Sequence, residues 1–371
     1  MLKDKKILFV LPRMGGGGAE RVTALLANAL CEQGNDVTIY TLVSGESFYP
    51  LNPLIHYEGV GISVDRKNKF TTYASEGVAL PKSFYKIRKL INNGHFDAVI
   101  SLLIETDILV GACKWTGLKF RHVCSERNDP TRRSTKQLKI LNSVYKRASL
   151  FVCQSTMVSN FYKDIPESIK VVISNPINPE DLPERPDTLS KRVVAIGRLT
   201  NQKNFSLLIK SFAKLSEKYP EYILDIYGEG EQRSQLETLI NELGLGWKIH
   251  LKGPSKQVQK DIADAELFVM SSDYEGFPNA LLEAVAIGLP VISTDFATGI
   301  ARELVGEENG IVVPVGNVDK LTSAIDIMLG NADMRHRMSQ CNREKAKKYY
   351  TKEIIKQWDQ ALERIILGER R

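Results

Sequence analysis

Short apolar runs alternate with longer amphipathic segments along the whole chain. In the first half the runs are ILFVLP, DVTIYTLV, DAVISLL, HVCSE and LFVCQS, each the length of a strand buried on both faces, and AERVTALLANALCEQG between the first two has helical spacing. That alternation predicts βα units on a parallel sheet. Beyond Asn175-Pro176-Ile177-Asn178-Pro179, a segment holding Pro183 and Pro186 among charged residues predicts an inter-domain linker. A second series then begins, with strands at RVVAIG, YILDIYG, IHLKG, ELFVMSS and PVIST and helices at FSLLIKSFAKLSEKY and NALLEAVAIG. Ile354, Ile355, Trp358 and Leu362 fall on one side of the last segment, which predicts a closing helix packed across the domain junction. The expected layout is an α/β domain over residues 1–182, a second over 183–350, and the closing helix over 351–371.

Length and composition agree with this layout. A chain of 371 residues suits two domains, each able to bury its own core. Hydrophobic residues at 43% and charged residues at 25% exclude a largely disordered chain. No apolar stretch approaches the ~20 residues of a membrane span, and the first apolar run is too short for a signal-peptide core. Five cysteines at irregular spacing, without a CxxC pair, suggest reduced core thiols and a cytoplasmic setting.

Charge adds a direction. Residues 1–185 carry 25 basic and 18 acidic side chains, against 25 and 26 over 186–371, so the net +6 is an N-terminal excess. It is densest from Lys114 to Arg147, where Lys119, Arg121, Arg127, Arg132, Arg133, Lys136, Lys139, Lys146 and Arg147 outnumber Glu126 and Asp129. Such a stretch suits an anionic surface or substrate, and equally a solvated helix face.

Three segments carry chemistry. Gly15 to Gly18 lie between the first strand and its helix, where amides without side chains can approach an oxyanion or a sugar, or simply form a turn. The spacing is not that of a dinucleotide fingerprint. In RVVAIGRLTNQKN, Arg198 follows a strand end and Lys203 stands five residues on, so both cations reach the carboxyl end of a sheet and can neutralise a departing diphosphate. In ELFVMSSDYEGFPNALLEAVAIGLPVIST, a strand ending at Ser271 and Ser272 leads to Glu275-Gly276-Phe277-Pro278, and a helix begins near Asn279. Glu275 and the amides of Gly276, Phe277, Asn279 and Ala280 can hold a sugar. Glu283, on an otherwise apolar helix, either accepts ribose hydroxyls or serves its helix dipole.

Together GGGGAER, GRLTNQKN and SSDYEGFPNALLEAVAIGLPVIST resemble the family 4 retaining glycosyltransferases over nearly the whole chain. The resemblance implies two Rossmann-like domains facing across a cleft, the GT-B arrangement. It implies that Arg198 and Lys203 bind the donor diphosphate, Glu283 the ribose, and Glu275 with Gly276, Phe277, Pro278, Asn279 and Ala280 the transferred sugar. Gly16 and Gly17 would close on the donor phosphates and on the acceptor from the other domain. Arg198, Lys203 and Glu275 are the expected catalytic residues, in a front-face reaction without a protein nucleophile. Many members carry a histidine in the first domain near the reacting sugar, where this chain has Glu126 and Arg127; both are expected on the acceptor side. No DxD triplet is present, so no metal and no bound cofactor is expected.

The donor implied is a UDP-sugar, with GDP as the alternative, carrying a hexosyl or N-acetylhexosaminyl group. The acceptor is a glycan, on many bacterial relatives' pattern diphospholipid-linked, met by a cytoplasmic enzyme lying against the anionic inner face of the membrane. No nucleic-acid partner is expected. A sugar-nucleotide epimerase shares the architecture, but the GRL and paired-glutamate segments resemble transferases. A silent binding subunit would have no need of those cations and carboxylates, and the poor fingerprint disfavours a dehydrogenase.

Overall fold

The computed structural model describes residues 2–59 and 69–368. The chain forms two compact units, one of Met1–Pro176 with Thr351–Arg371 and one of Ile177–Tyr350. The first unit therefore ends six residues before the expected boundary at 182, and it includes the C-terminal segment expected to pack across the domain junction. The reason is apolar burial. Ile354, Ile355, Trp358, Ala361 and Leu362 of helix Thr351–Glu363 enter the same core as Phe9, Leu26 and Leu30, so the amphipathic face belongs to the first unit's own interior.

The first unit's sheet contains β1 (Lys6–Leu11), β2 (Asp36–Thr41), β3 (His56–Gly59), β4 (Ala98–Leu102), β5 (His122–Ser125), β6 (Leu150–Cys153) and β7 (Lys170–Val172). Their order is β3-β2-β1-β4-β5-β6-β7, with every pairing parallel. Ile7 lies opposite both Val37 and Ala98, and the run Ile7 to Leu11 is buried throughout. Alternate side chains serve opposite cores: Ile7, Phe9 and Leu11 pack with helix Gly18–Glu32, Leu8 and Val10 with Ile87, Ile91 and Val110. A central strand of a doubly covered sheet needs that continuous apolar run.

The second unit's sheet contains β8 (Ser190–Ile196), β9 (Ile223–Tyr227), β10 (Ile249–Gly253), β11 (Ala265–Met270), β12 (Val291–Thr294) and β13 (Gly310–Val313). Their order is β10-β9-β8-β11-β12-β13, again all parallel. Strand β11 stops at Met270, two residues short of the expected end, and beyond it the chain turns to the loop after β8, with Asp273 N donating to Gln202 O and Ser271 Oγ to Lys203 O. In each unit the chain order reverses beside the first strand, between β1 and β4 and between β8 and β11. Ligands of open α/β sheets bind at the carboxyl ends of strands flanking such a point. None of the described helices is long and apolar enough to cross a membrane.

Candidate active site

In the second unit the reversal point is formed by the loops after β8 and β11, and the predicted residues lie on both. After Ile196 the chain is held by Gly197 N donating to Tyr227 O at 3.0 Å and Leu199 N to Glu229 O at 2.9 Å. Gly228, at φ +140°, sits so close that an added Cβ would meet the Gly197 carbonyl, and one on Gly230 would meet the Leu199 backbone. Sequence reasoning passed over this second loop, although two glycines one residue apart beyond a strand were its signal. It shapes the turn from which Arg198 projects. The Arg198 side chain is exposed and makes no hydrogen bond or ion pair among the described residues.

Lys203 is placed differently. It ends the short turn Asn201–Lys203, after which Asn204, at φ +44°, caps helix Phe205–Ala213 by accepting from Leu207 N at 3.2 Å. This loop is stitched to the one after β11. Asn204 Nδ2 donates to Asp273 Oδ1 at 2.8 Å, Ser271 Oγ to Lys203 O at 2.8 Å, and Gln202 Nε2 to Tyr274 O at 2.9 Å. Lys203 Nζ reaches Glu275 Oε1 at 2.5 Å, and the same oxygen accepts from Ser272 Oγ at 2.6 Å. Gln202 Nε2 donates to the other carboxylate oxygen at 3.3 Å. Lys203 and Glu275, expected to meet different parts of a ligand, thus form one partly buried ion pair, their side chains 15% and 7% exposed.

Helix Asn279–Ile287 starts where the sequence predicts, and Glu283 is buried on it. The partner a buried carboxylate requires includes Gln259, whose Nε2 donates to Glu283 Oε2 at 3.1 Å from helix Val258–Ile262. Two expected ligand groups have other duties. The Phe277 ring is part of the apolar core around Leu281 and Val285, and the Asn279 amide donates to Phe277 O at 3.0 Å. Pro278 is buried at the helix N-terminus, while Gly276 and Ala280 are half-buried beside it.

In the first unit the glycine run follows β1. Gly17 precedes helix Gly18–Glu32 with ordinary extended backbone; the Glu20 carboxylate lies close against Gly17, and the Phe48 ring stands near Gly16 with ordinary room for a Cβ. Burial pushes the Glu20 carboxyl up. Glu20 was not singled out from the sequence, though an acid one turn into a helix after a glycine run was the available signal.

Glu126 and Arg127 follow β5, but neither offers an exposed group. Glu126 is 2% exposed and anchors a network: Arg133 Nη2 reaches it at 2.5 Å, Tyr162 Oη donates at 2.6 Å and Asn128 N at 3.1 Å. Arg127 is 6% exposed, donates from Nη1 to Asn175 Oδ1 at 2.7 Å and lies over the Trp358 ring, while its Nε and Nη2 lack hydrogen bonds among the described residues. Burial lowers its pKa to about 10. Both side chains, expected on the acceptor side, are thus largely buried within the first unit.

Deeper in the same network Ser101 Oγ donates to Asp107 Oδ1 at 2.5 Å and lies 2.8 Å from His122 Nε2, with Cys124 Sγ 3.4 Å from that nitrogen. Asp107, His122 and Cys124 are spaced closely enough to hold a metal ion. Burial, however, pushes the Asp107 carboxyl and Cys124 thiol up and brings His122 down to about 3, favouring a neutral set joined by hydrogen bonds over the deprotonated thiolate a metal takes.

A family model described as glycosyltransferase family 4 matches residues 16–181, and one described as glycosyl transferases group 1 matches residues 180–345. The chain belongs to the family 4 glycosyltransferases. Its relatives include a Campylobacter jejuni α-1,4-N-acetyl-D-galactosaminyltransferase named for a GalNAc-extended diNAcBac-PP-undecaprenol, 26% identical and covering 95% of this chain and 97% of that one. The amylovoran biosynthesis glycosyltransferase AmsD of Erwinia amylovora is also 26% identical, over 93% and 96%. Among solved structures, sucrose-phosphate synthase from Thermosynechococcus elongatus has a TM-score of 0.83 at 17% identity, covering 98% of this chain and all of that one. Anabaena HepE, solved with UDP, has 0.77 at 16%, covering 96% and 99%. The fold of this glycosyltransferase is therefore GT-B, as the sequence resemblance implies.

Proposed function

We propose that this glycosyltransferase moves a hexosyl or N-acetylhexosaminyl group from a UDP-sugar to a diphospholipid-linked glycan during assembly of a bacterial surface polysaccharide, with retention and without a metal. The observation that carries the reading is the juxtaposition, at the reversal point of the second sheet, of unpartnered Arg198 with the Lys203–Glu275 pair. Arg198 and Lys203 supply positive charge where a diphosphate leaves, work that elsewhere falls to a metal ion. Glu275 holds the transferred sugar and Glu283 the ribose hydroxyls. The departing phosphate oxygen takes the acceptor's proton on the same face, so no protein nucleophile is used. UDP in HepE and the undecaprenol-linked substrate in the C. jejuni relative's name support the choice of nucleotide and acceptor. Arg132, Lys136, Lys139, Lys146 and Arg147 are exposed and suit the anionic membrane on which such an acceptor resides.

The test is a panel of nucleotide sugars offered with EDTA present, following thermal stabilisation and slow release of nucleoside diphosphate. One donor should stabilise the wild type and be hydrolysed, and Arg198→Ala should reduce turnover about 10² to 10³-fold, the usual loss for one charge stabiliser. Conversion of the donor to another nucleotide sugar would replace transfer by epimerisation. No binding at all would leave a silent subunit.

A further inference from the structure

The first unit holds an aromatic surface that the donor chemistry does not use. The loop after β2 folds back onto the glycine run: Phe48 N donates to Met14 O at 2.9 Å and Tyr49 Oη to Gly17 O at 3.3 Å. Ser47 Oγ donates to Tyr49 O at 2.7 Å, and Asn28 Nδ2, from helix Gly18–Glu32, to Pro50 O at 3.1 Å. The Phe48 backbone is thereby held beside the glycine run. A Cβ added at Gly16 would meet the Phe48 ring at 3.6 Å, and Tyr49 braces that ring edge-on with centroids 5.1 Å apart and planes at 76°.

Despite these supports Phe48 is 70% exposed, beside the carboxyl end of the first unit's central strand. A ring held at its backbone and open on one side offers a surface suited to an occupant that is flat and apolar on its face and polar at its rim. A pyranose has that form. Its ring C–H groups meet the negative face of an aromatic ring, and its hydroxyls extend sideways to polar neighbours. Such neighbours are present, since exposed Arg13 lies beside Gly15 and the Glu20 carboxylate stands behind Gly17.

We infer that Phe48 is a specificity-determining residue, the stacking platform for the terminal pyranose of the acceptor glycan, with Arg13 at the sugar's rim. The inference rests on the transferase reading above. It is tested by saturation-transfer NMR with methyl glycosides of hexoses and N-acetylhexosamines against wild type, Phe48→Ala and Phe48→Trp, while thermal stabilisation by UDP-sugars is followed in all three. At least one glycoside should contact the wild type through the C–H protons of one ring face. Phe48→Ala should bind it about tenfold more weakly, as expected for loss of one aromatic face contact, and Phe48→Trp should retain it. UDP-sugar stabilisation should be equal in the three proteins. Glycoside binding unchanged in Phe48→Ala, or absent from the wild type, overturns the inference. If UDP-sugars fail to stabilise even the wild type, the transferase reading falls instead, whatever the glycosides do.

Discussion

Replacing Lys203 by methionine removes a cation while keeping most of its apolar stem, and should cost the protein both stability and activity. The two losses have one physical origin. Lys203 and Glu275 are 15% and 7% exposed and 2.5 Å apart, so the substitution leaves a carboxylate that water reaches poorly without its counter-charge. Breaking such a pair typically costs 3–5 kcal/mol. Ser272 and Gln202 still donate to Glu275, which favours the low end, about 3 kcal/mol. For a unit the size of Ile177–Tyr350, about 2–4 °C per kcal/mol gives a Tm lowered by about 6–12 °C without ligand. Adding Glu275→Gln should restore about 2 kcal/mol of that, since the double variant no longer buries a lone charge. Differential scanning fluorimetry of the single and double variants provides the measurement, with Arg198→Ala as a control that should melt with the wild type because it breaks no contact. If Lys203→Met melts within about 2 °C of the wild type, the pair is not structural and the reasoning is refuted.

Other consequences concern the first unit. Burial brings His122 from its usual 6.5 to about 3, so the folded state binds fewer protons; its stabilising effect is full above pH 6.5 and is lost as the pH falls toward 3. Between pH 6.5 and 5 the wild type should lose about 2 kcal/mol that His122→Gln does not lose, measured as the pH dependence of the urea midpoint; equal slopes would sink the assignment. Arg133→Ala should destabilise the unit by about 3 kcal/mol through the Glu126 carboxylate it leaves behind, whereas exposed Lys136→Ala should leave stability unchanged and weaken binding to anionic vesicles. Urea unfolding and vesicle co-sedimentation separate the two, and equal unfolding midpoints would contradict the buried network.

Much of this was legible in the sequence because strand burial and loop chemistry are local. Ile7 to Leu11 must be a central strand, since nothing else buries five consecutive apolar residues so economically, and GRL and EGFPNALLE declare themselves at strand ends. What stayed hidden depends on distant partners. The apolar face of Ile354, Trp358 and Leu362 shows that the last helix packs, but only the fold shows that it packs beside Phe9 and Leu26. Arg133 sits in a run of cations that looks uniformly solvated, and its burial follows from Glu126, Tyr145 and Tyr162 converging from three elements. Phe48 and Tyr49 gave no periodic signal, being in a loop whose place beside Gly16 and Gly17 is set only by the fold.

The pairing of Lys203 with Glu275 also changes what donor binding must involve. Neither charge is waiting free: if Lys203 takes the diphosphate and Glu275 the sugar, as proposed, an incoming diphosphate competes with Glu275 for the ammonium and an incoming sugar with Lys203 for the carboxylate. On the proposed reading these exchanges compensate only when both parts of one donor arrive together. A free nucleoside diphosphate recovers the ammonium but strands the carboxylate, and a free sugar does the reverse, each leaving a poorly solvated charge of the kind that is costly when alone. Arg198, exposed and without a hydrogen bond or ion pair among the described residues, carries no such coupling, and on the proposed reading it is the unconditional attraction for phosphate. The same two cations five residues apart thus play unlike parts, because one ends in water and the other against a carboxylate 72 residues further along the chain.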